Sequence, residues 1–270
     1  MSLRAAVFAL IAFVSPLHAA SEAELDELYA ALRADELLRI MADEGITEGE
    51  DLRDSMLGGQ GGIGWNGALA TIYAYPQMEA EFRATFDAEL AEADVTPLLD
   101  FYAGDIGAAV ALYELEGRRA MSKDEVEAAA KSAFAEMDED SRRFQLLTRF
   151  ITLNDLVEYN VAGAMTSNLA FFQGLAEGGG VEMPEEEMLA TVWGREDEIR
   201  ADTEDWVGAY LTFTYDRLSD DDLAAYIDLS ETKAGRALNR ALFAAFYEVY
   251  KRISFDLGKS VSSFMVTEEL

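Results

Sequence analysis

Leu238, Leu242, Phe246, Val249, Ile253, Leu257, Val261 and Phe264 follow one another at intervals of three or four residues. Such spacing places them on one face of a long amphipathic helix. Leu98, Phe101 and Tyr102 fit one face of a shorter helix. Between them, Phe144, Leu147, Phe150, Ile151, Leu156, Tyr159, Met165, Leu169 and Phe172 are spread around the circumference of a helix expected over 141–176. That distribution suits a buried central element surrounded by others. Tyr210–Tyr215 contains strand-forming residues but lies inside a helical pattern reaching back to Trp206, so it too reads as helix. Helix starts are marked at Ser21 with Glu24, Thr47 with Glu50, Ser122 with Glu125 and Ser219 with Asp222, all at capping-box spacing or a close variant. Pro184 stands at a predicted first helical position, and Glu185–Glu187 suit the positive end of the helix it opens. The pattern predicts an all-α protein, a helical bundle built from two similar helical repeats.

The repeat emerges when the chain is slid against itself by 128 residues. Asp94 then falls on Asp222, Asp100 on Asp228, Gly107 on Gly235 and Ala109 on Ala237. Apolar classes agree at Val95 with Leu223, Leu98 with Tyr226 and Leu99 with Ile227. Each copy reads as a helix, a tight corner and a second helix with glycine near its start. Ser219 is placed to cap a helix over 220–231, and Thr232 to cap the next, with Gly235 at its third position. In the first copy Gly104 or Asp105 takes the capping place and Gly107 the packing place. Glycine at that point lets two helices approach where a larger side chain would wedge them apart. The expected organisation is a signal peptide over 1–19, a first repeat over 20–140, and a second over 141–270 that begins with the buried central helix.

Asp94-Val95, Leu98, Phe101-Tyr102 and Gly107 in one copy, with Ser219, Asp222-Leu223, Thr232 and Gly235 in the other, form a pattern that resembles the bacterial domain-of-unknown-function 2059 family. Two departures stand out: Gly104 replaces the expected Ser or Thr, and Leu229-Ser230 replaces Phe-Tyr. The resemblance covers roughly fifty residues closely. It implies an exported, all-helical protein and assigns no activity.

Composition narrows the chemistry. The chain has no cysteine, and its single histidine is His18. Arg4, the apolar Ala5–Val14 stretch, Pro16 and the small residues Ala19 and Ala20 together read as a cleaved export signal, which directs the protein to the periplasm. The mature chain then has neither His nor Cys. A Ser-His-Asp triad, a thiol nucleophile, a tetrahedral zinc site, a disulfide framework and a lipidated cysteine are excluded. Asp and Glu number 52 against 21 Lys and Arg, a formal net charge of −31, and losing Arg4 makes it −32. That charge repels phosphate backbones and anionic membranes, so no nucleic-acid partner is expected.

Few polar features invite a functional reading. Residues 159–176 carry no charge, but Asn160, Thr166, Ser167, Asn168 and Gln173 make a stable membrane span unfavourable. Ala162-Gly163-Ala164 are small enough to let a neighbouring helix cross closely. Asn154 and Glu158 share a helix face, and Asn160 and Asn168 nearly do. These four form a candidate polar cluster: either a core network fixing helix register, or a site for a small polar ligand or divalent cation. Gly59, Gly61 and Gly64 have dinucleotide spacing but follow a helix rather than a strand, so residues 58–67 read as a hinge and 178–180 as a second linker. The acidic runs at 136–140 and 220–222 lack the spaced ligands of a calcium loop and read as solvated helix ends. Phe243, Tyr247 and Tyr250 form an aromatic row separate from the apolar stripe of their helix. That row either packs on the first repeat or forms an interface for self-association or a protein partner. No catalytic residue, cofactor or metal ligand is assigned. The expectation is an exported periplasmic protein that binds or assembles without catalysing, with a small-ligand or divalent-cation binder as the alternative.

Overall fold

A computed structural model describes residues 19–268, and among them all regular structure is helical. Residues 1–18 of the expected signal peptide lie outside the described residues. The first half runs α1 (Glu22–Ala31), α2 (Ala34–Met56), α3 (Gly62–Ile72), α4 (Tyr75–Leu90), α5 (Thr96–Tyr102), α6 (Asp105–Met121) and α7 (Asp124–Ala135). The second runs α8 (Arg142–Leu153), α9 (Leu156–Glu177), α10 (Glu185–Trp193), α11 (Glu196–Thr214), α12 (Asp220–Ser230) and α13 (Lys233–Glu268). Among the described residues no helix is long and apolar enough to cross a membrane.

Local chemistry accounts for many boundaries. At α1, Ser21 Oγ accepts from the Glu24 amide while the Glu24 carboxylate accepts from the Ser21 amide, a complete capping box. Ser219 accepts from the Asp222 amide at 3.1 Å and starts α12. Two other expected starts are overruled. Thr47 lies inside α2 and its hydroxyl donates to the Asp43 carbonyl, and Ser122 turns back to the Arg119 carbonyl while Lys123 precedes α7. In both, the hydroxyl found a carbonyl behind it, a competing local bond that capping-box spacing does not exclude.

The expected continuous central helix is also corrected. It breaks into α8 and α9 at Asn154, whose side-chain amide donates to the Phe150 carbonyl at 3.0 Å, and at Asp155, which adopts left-handed backbone with φ of 49°. Asp tolerates that conformation better than most side chains. Nor is α9 enclosed all round: Val161, Ala170, Gly174 and Leu175 are its buried residues, and much of the remainder is partly accessible.

The two corners have the same local structure. Gly107 and Gly235 are each the third residue of their helix, and a Cβ on either would lie 2.2 Å from a carbonyl oxygen of the preceding helix, Phe101 or Leu229. Thr232 caps its corner, accepting from the Gly235 amide at 2.9 Å. At the other, Gly104 rather than Asp105 is the capping residue and offers no side-chain bond.

The core is organised on α13, which lies between α9 and α4. Ala241, Ala245 and Val249 are its fully buried line, Leu242 and Phe246 of the expected stripe lie partly buried beside it, and Phe246 meets Phe82 of α4 with ring centroids 4.9 Å apart. Helices α9 and α13 run parallel. Tyr159 stacks on Phe243 near their starts, while Gly174 meets Gly258's turn near their ends, the same offset in both places. A Cβ on Gly174 would sit 2.0 Å from the Phe255 carbonyl oxygen, and one on Gly258 would sit 2.1 Å from that of Phe171. The close crossing is therefore here, and the expectation that Ala162-Gly163-Ala164 provides it is not met.

Candidate functional site: an interhelical cleft

At the opposite end of this pair the helices leave room. A Cβ on Gly163 would meet nothing within 4 Å. It faces a half-open cleft of about 870 Å³, walled by α2, α4 and α6 from the first half and by α9, α11 and α13 from the second. Most of the lining is apolar or aromatic. A volume of this order suits a drug-sized ligand.

Helix α13 supplies one wall through Phe243, Tyr247 and Tyr250. The row is therefore neither core nor a convex outer surface. Phe243 stacks on Tyr159 at 4.5 Å with planes 13° apart, while Tyr247 and Tyr250 each remain 37% exposed. Trp206 and Tyr210 of α11 add a second stacked pair, 5.0 Å between centroids.

The polar groups come chiefly from α6. Val110, Gly117 and Met121 mark its buried stripe, and Glu114 stands in the same stripe. Its Oε1 accepts from the Tyr215 hydroxyl at 2.6 Å and the Tyr226 hydroxyl at 3.1 Å, and its backbone carbonyl accepts from Tyr210 at 3.0 Å. Burial raises the Glu114 carboxyl above its ordinary pKa, and the two phenol bonds only partly oppose this. The Tyr215 and Tyr226 hydroxyls are raised as well, first by burial and then by the carboxylate's charge. One turn along, the Arg118 guanidinium donates to Glu44 Oε2 at 2.6 and 2.9 Å. Burial pushes the Tyr250 hydroxyl up, and the nearby Arg118 charge draws it back.

The four residues of the anticipated polar cluster do not converge. Asn154 is buried and occupied with its own helix end, and its carbonyl accepts from Asn239. Glu158 is exposed and pairs with Arg200, whose guanidinium holds its carboxyl below the usual range. Asn160 lines the cleft but donates to the Leu156 carbonyl at 2.7 Å, and Asn168 is half-buried further along, bonded to none of them. The helix break at Asp155 explains the first separation: it rotates Asn154 away from the face that Glu158 occupies. Among the described residues no group of three or more His, Asp or Glu side chains is arranged to hold a metal.

Sequence reasoning missed Glu114, Arg118, Tyr210, Tyr215 and Tyr226. One signal was present: a carboxylate at an apolar stripe position, in step with Val110, Gly117 and Met121. No protein-family model matches the chain, and no curated protein or solved structure is detectably similar to it.

Proposed function

We propose that this is an exported periplasmic protein that binds a small, largely apolar ligand in the interhelical cleft and does not catalyse its conversion. The observation that carries the reading is the 870 Å³ cleft, apolar on most of its walls, in which a few polar groups from α6 and α9 meet. Concave apolar sites with sparse, fixed polar groups are the usual form of small-molecule sites. The strongly acidic composition and the export signal agree with a soluble carrier outside the cytoplasm. The resemblance to the domain-of-unknown-function 2059 family, on its two glycine corners, belongs to the same proposal.

Small-molecule binding is favoured over docking of a partner helix by size. A helix is about 10 Å across with its side chains and rises 1.5 Å per residue, so such a cleft accommodates only about two turns. A divalent-cation site lacks converging ligands among the described residues.

The test is titration with an uncharged apolar dye, N-phenyl-1-naphthylamine, using the wild type and Gly163→Leu. Saturable one-to-one enhancement of dye fluorescence that the substitution abolishes supports the reading. Absence of saturable binding, or equal binding to a folded Gly163→Leu protein, overturns it. Export is tested separately by the mass of protein from the periplasmic fraction, expected to begin near Ala20 or Ser21.

A further inference from the structure

The charged groups of the cleft do not balance. Arg118 is neutralised by Glu44, to which both of its hydrogen-bonded nitrogens point. Glu89 of α4 and Arg240 of α13, both exposed, are opposite in sign. Glu114 is left as the acidic group with no cationic partner. Its Oε1 is used by two tyrosines, and among the described residues no cation pairs with its carboxylate.

The same lining offers aromatic faces: Tyr159, Trp206, Tyr210, Phe243, Tyr247 and Tyr250. A carboxylate and aromatic rings that line one cleft attract a positive group in two ways, by direct charge and through the negative faces of the rings. At longer range, the excess of acidic residues raises the local concentration of cations and lowers that of anions.

We propose that the cleft takes an organic cation with an apolar body, an amphiphilic amine or quaternary ammonium compound, with its charged end against Glu114 and its body along the aromatic wall. The proposal rests on the binding function argued above and names its ligand class. The groups facing this carboxyl are Tyr102 from α5, Tyr210 and Tyr215 from α11 and its end, and Tyr226 from α12, while Glu89, Arg118, Arg240 and Tyr250 are the other titratable or charged groups that line the cleft near these elements. Burial favours the protonated Glu114 carboxyl, and a cation bound against it favours the carboxylate, so binding releases a proton.

The experiment compares three probes sharing a twelve-carbon chain, each below its micelle concentration: dodecyltrimethylammonium, dodecanol and dodecanoate. Calorimetry of the wild type is expected to rank them in that order, the cation at least about tenfold tighter than the alcohol. Glu114→Gln should collapse the cation-to-alcohol ratio toward one. A second readout needs no variant. Just above the ordinary carboxylate range, dodecyltrimethylammonium binding should release a proton, seen as a heat that depends on the ionisation enthalpy of the buffer, and dodecanol binding should not. Equal affinities that Gly163→Leu still blocks, tightest binding of dodecanoate, or a cation preference unchanged in folded Glu114→Gln overturns the cation assignment and leaves the cleft as a binding site. Absence of saturable binding by any probe overturns both.

Discussion

The two ends of the α9–α13 pair differ although the helices keep one register throughout. Toward their C-terminal ends, Gly174 and Gly258 bring backbone against backbone, and a single added carbon on either would strike a carbonyl oxygen. Toward their N-terminal ends, Gly163 has open space where its Cβ would be, although Ala162 and Ala164 flank it. Small residues are thus necessary for close helix packing but do not cause it. At the open end, the partners are the large rings Phe243, Tyr247 and Tyr250, and Tyr159 against Phe243 props the helices. One helix pair therefore supplies both a rigid junction and the wall of a ligand cleft.

The largest test of this contrast is Gly174→Leu. With backbone on the other side, the clash cannot be relieved by a side-chain rotation, and a loss of about 3 kcal/mol or more is expected in chemical denaturation. Retention of wild-type stability would mean that the tight end is not tight. The corners sharpen the point. Gly107→Leu and Gly235→Leu meet equivalent carbonyl oxygens, but each lies near a helix start that can shift, so losses of about 1–3 kcal/mol, similar in the two, are expected. Unequal losses would show that Thr232 gives the second corner a resilience that Gly104 does not give the first.

At the open end the sign reverses. Gly163→Leu relieves a helical glycine and fills apolar space, so stability should rise by about 1 kcal/mol while dye binding is lost. A fall in melting temperature would show that the cleft wall cannot accept the side chain. Smaller effects separate the carboxylates nearby. Burial raises Glu114, so its folded pKa exceeds its unfolded one. Its contribution to stability is complete below the ordinary carboxylate pKa and is lost as pH rises through the raised value. Glu114→Gln should flatten that decline, measured as stability against pH. Glu158 is the opposite case: its pKa is lowered by Arg200, so its contribution is present above the ordinary value and lost as pH falls. Because the pair is at the surface, Glu158→Gln should barely move the melting temperature at neutral pH.

Helix identity was the most readable feature of the chain. The apolar stripe from Leu238 to Phe264 lies in one helix, α13, and the strand-like Tyr210–Tyr215 stretch lies at the end of another, α11. Ser21, Ser219 and Thr232 cap as their spacing implies, whereas Thr47 and Ser122 have that spacing and do not. A hydroxyl chooses between an amide ahead and a carbonyl behind, and the choice depends on whether the chain is already helical there. The candidate site was less readable. Phe243, Tyr247 and Tyr250 were recognised as surplus to one docking face, but Asn154 and Glu158 share a face only if the helix is unbroken, and Asn160 and Asn168, both within α9, do not join them in one cluster.

What the sequence by itself determined is therefore what a residue settles with neighbours three or four positions away: helical periodicity, several caps, the glycine at each corner and the acidity of the whole. The tertiary structure decided which faces met. Glu114 is an ordinary helical glutamate until Tyr215 and Tyr226, about a hundred residues further on, place their hydroxyls on its carboxylate. Gly163 and Gly174 are alike until α13 lies against one and stands off from the other. These outcomes depend on the summed packing of remote side chains, which no local spacing encodes.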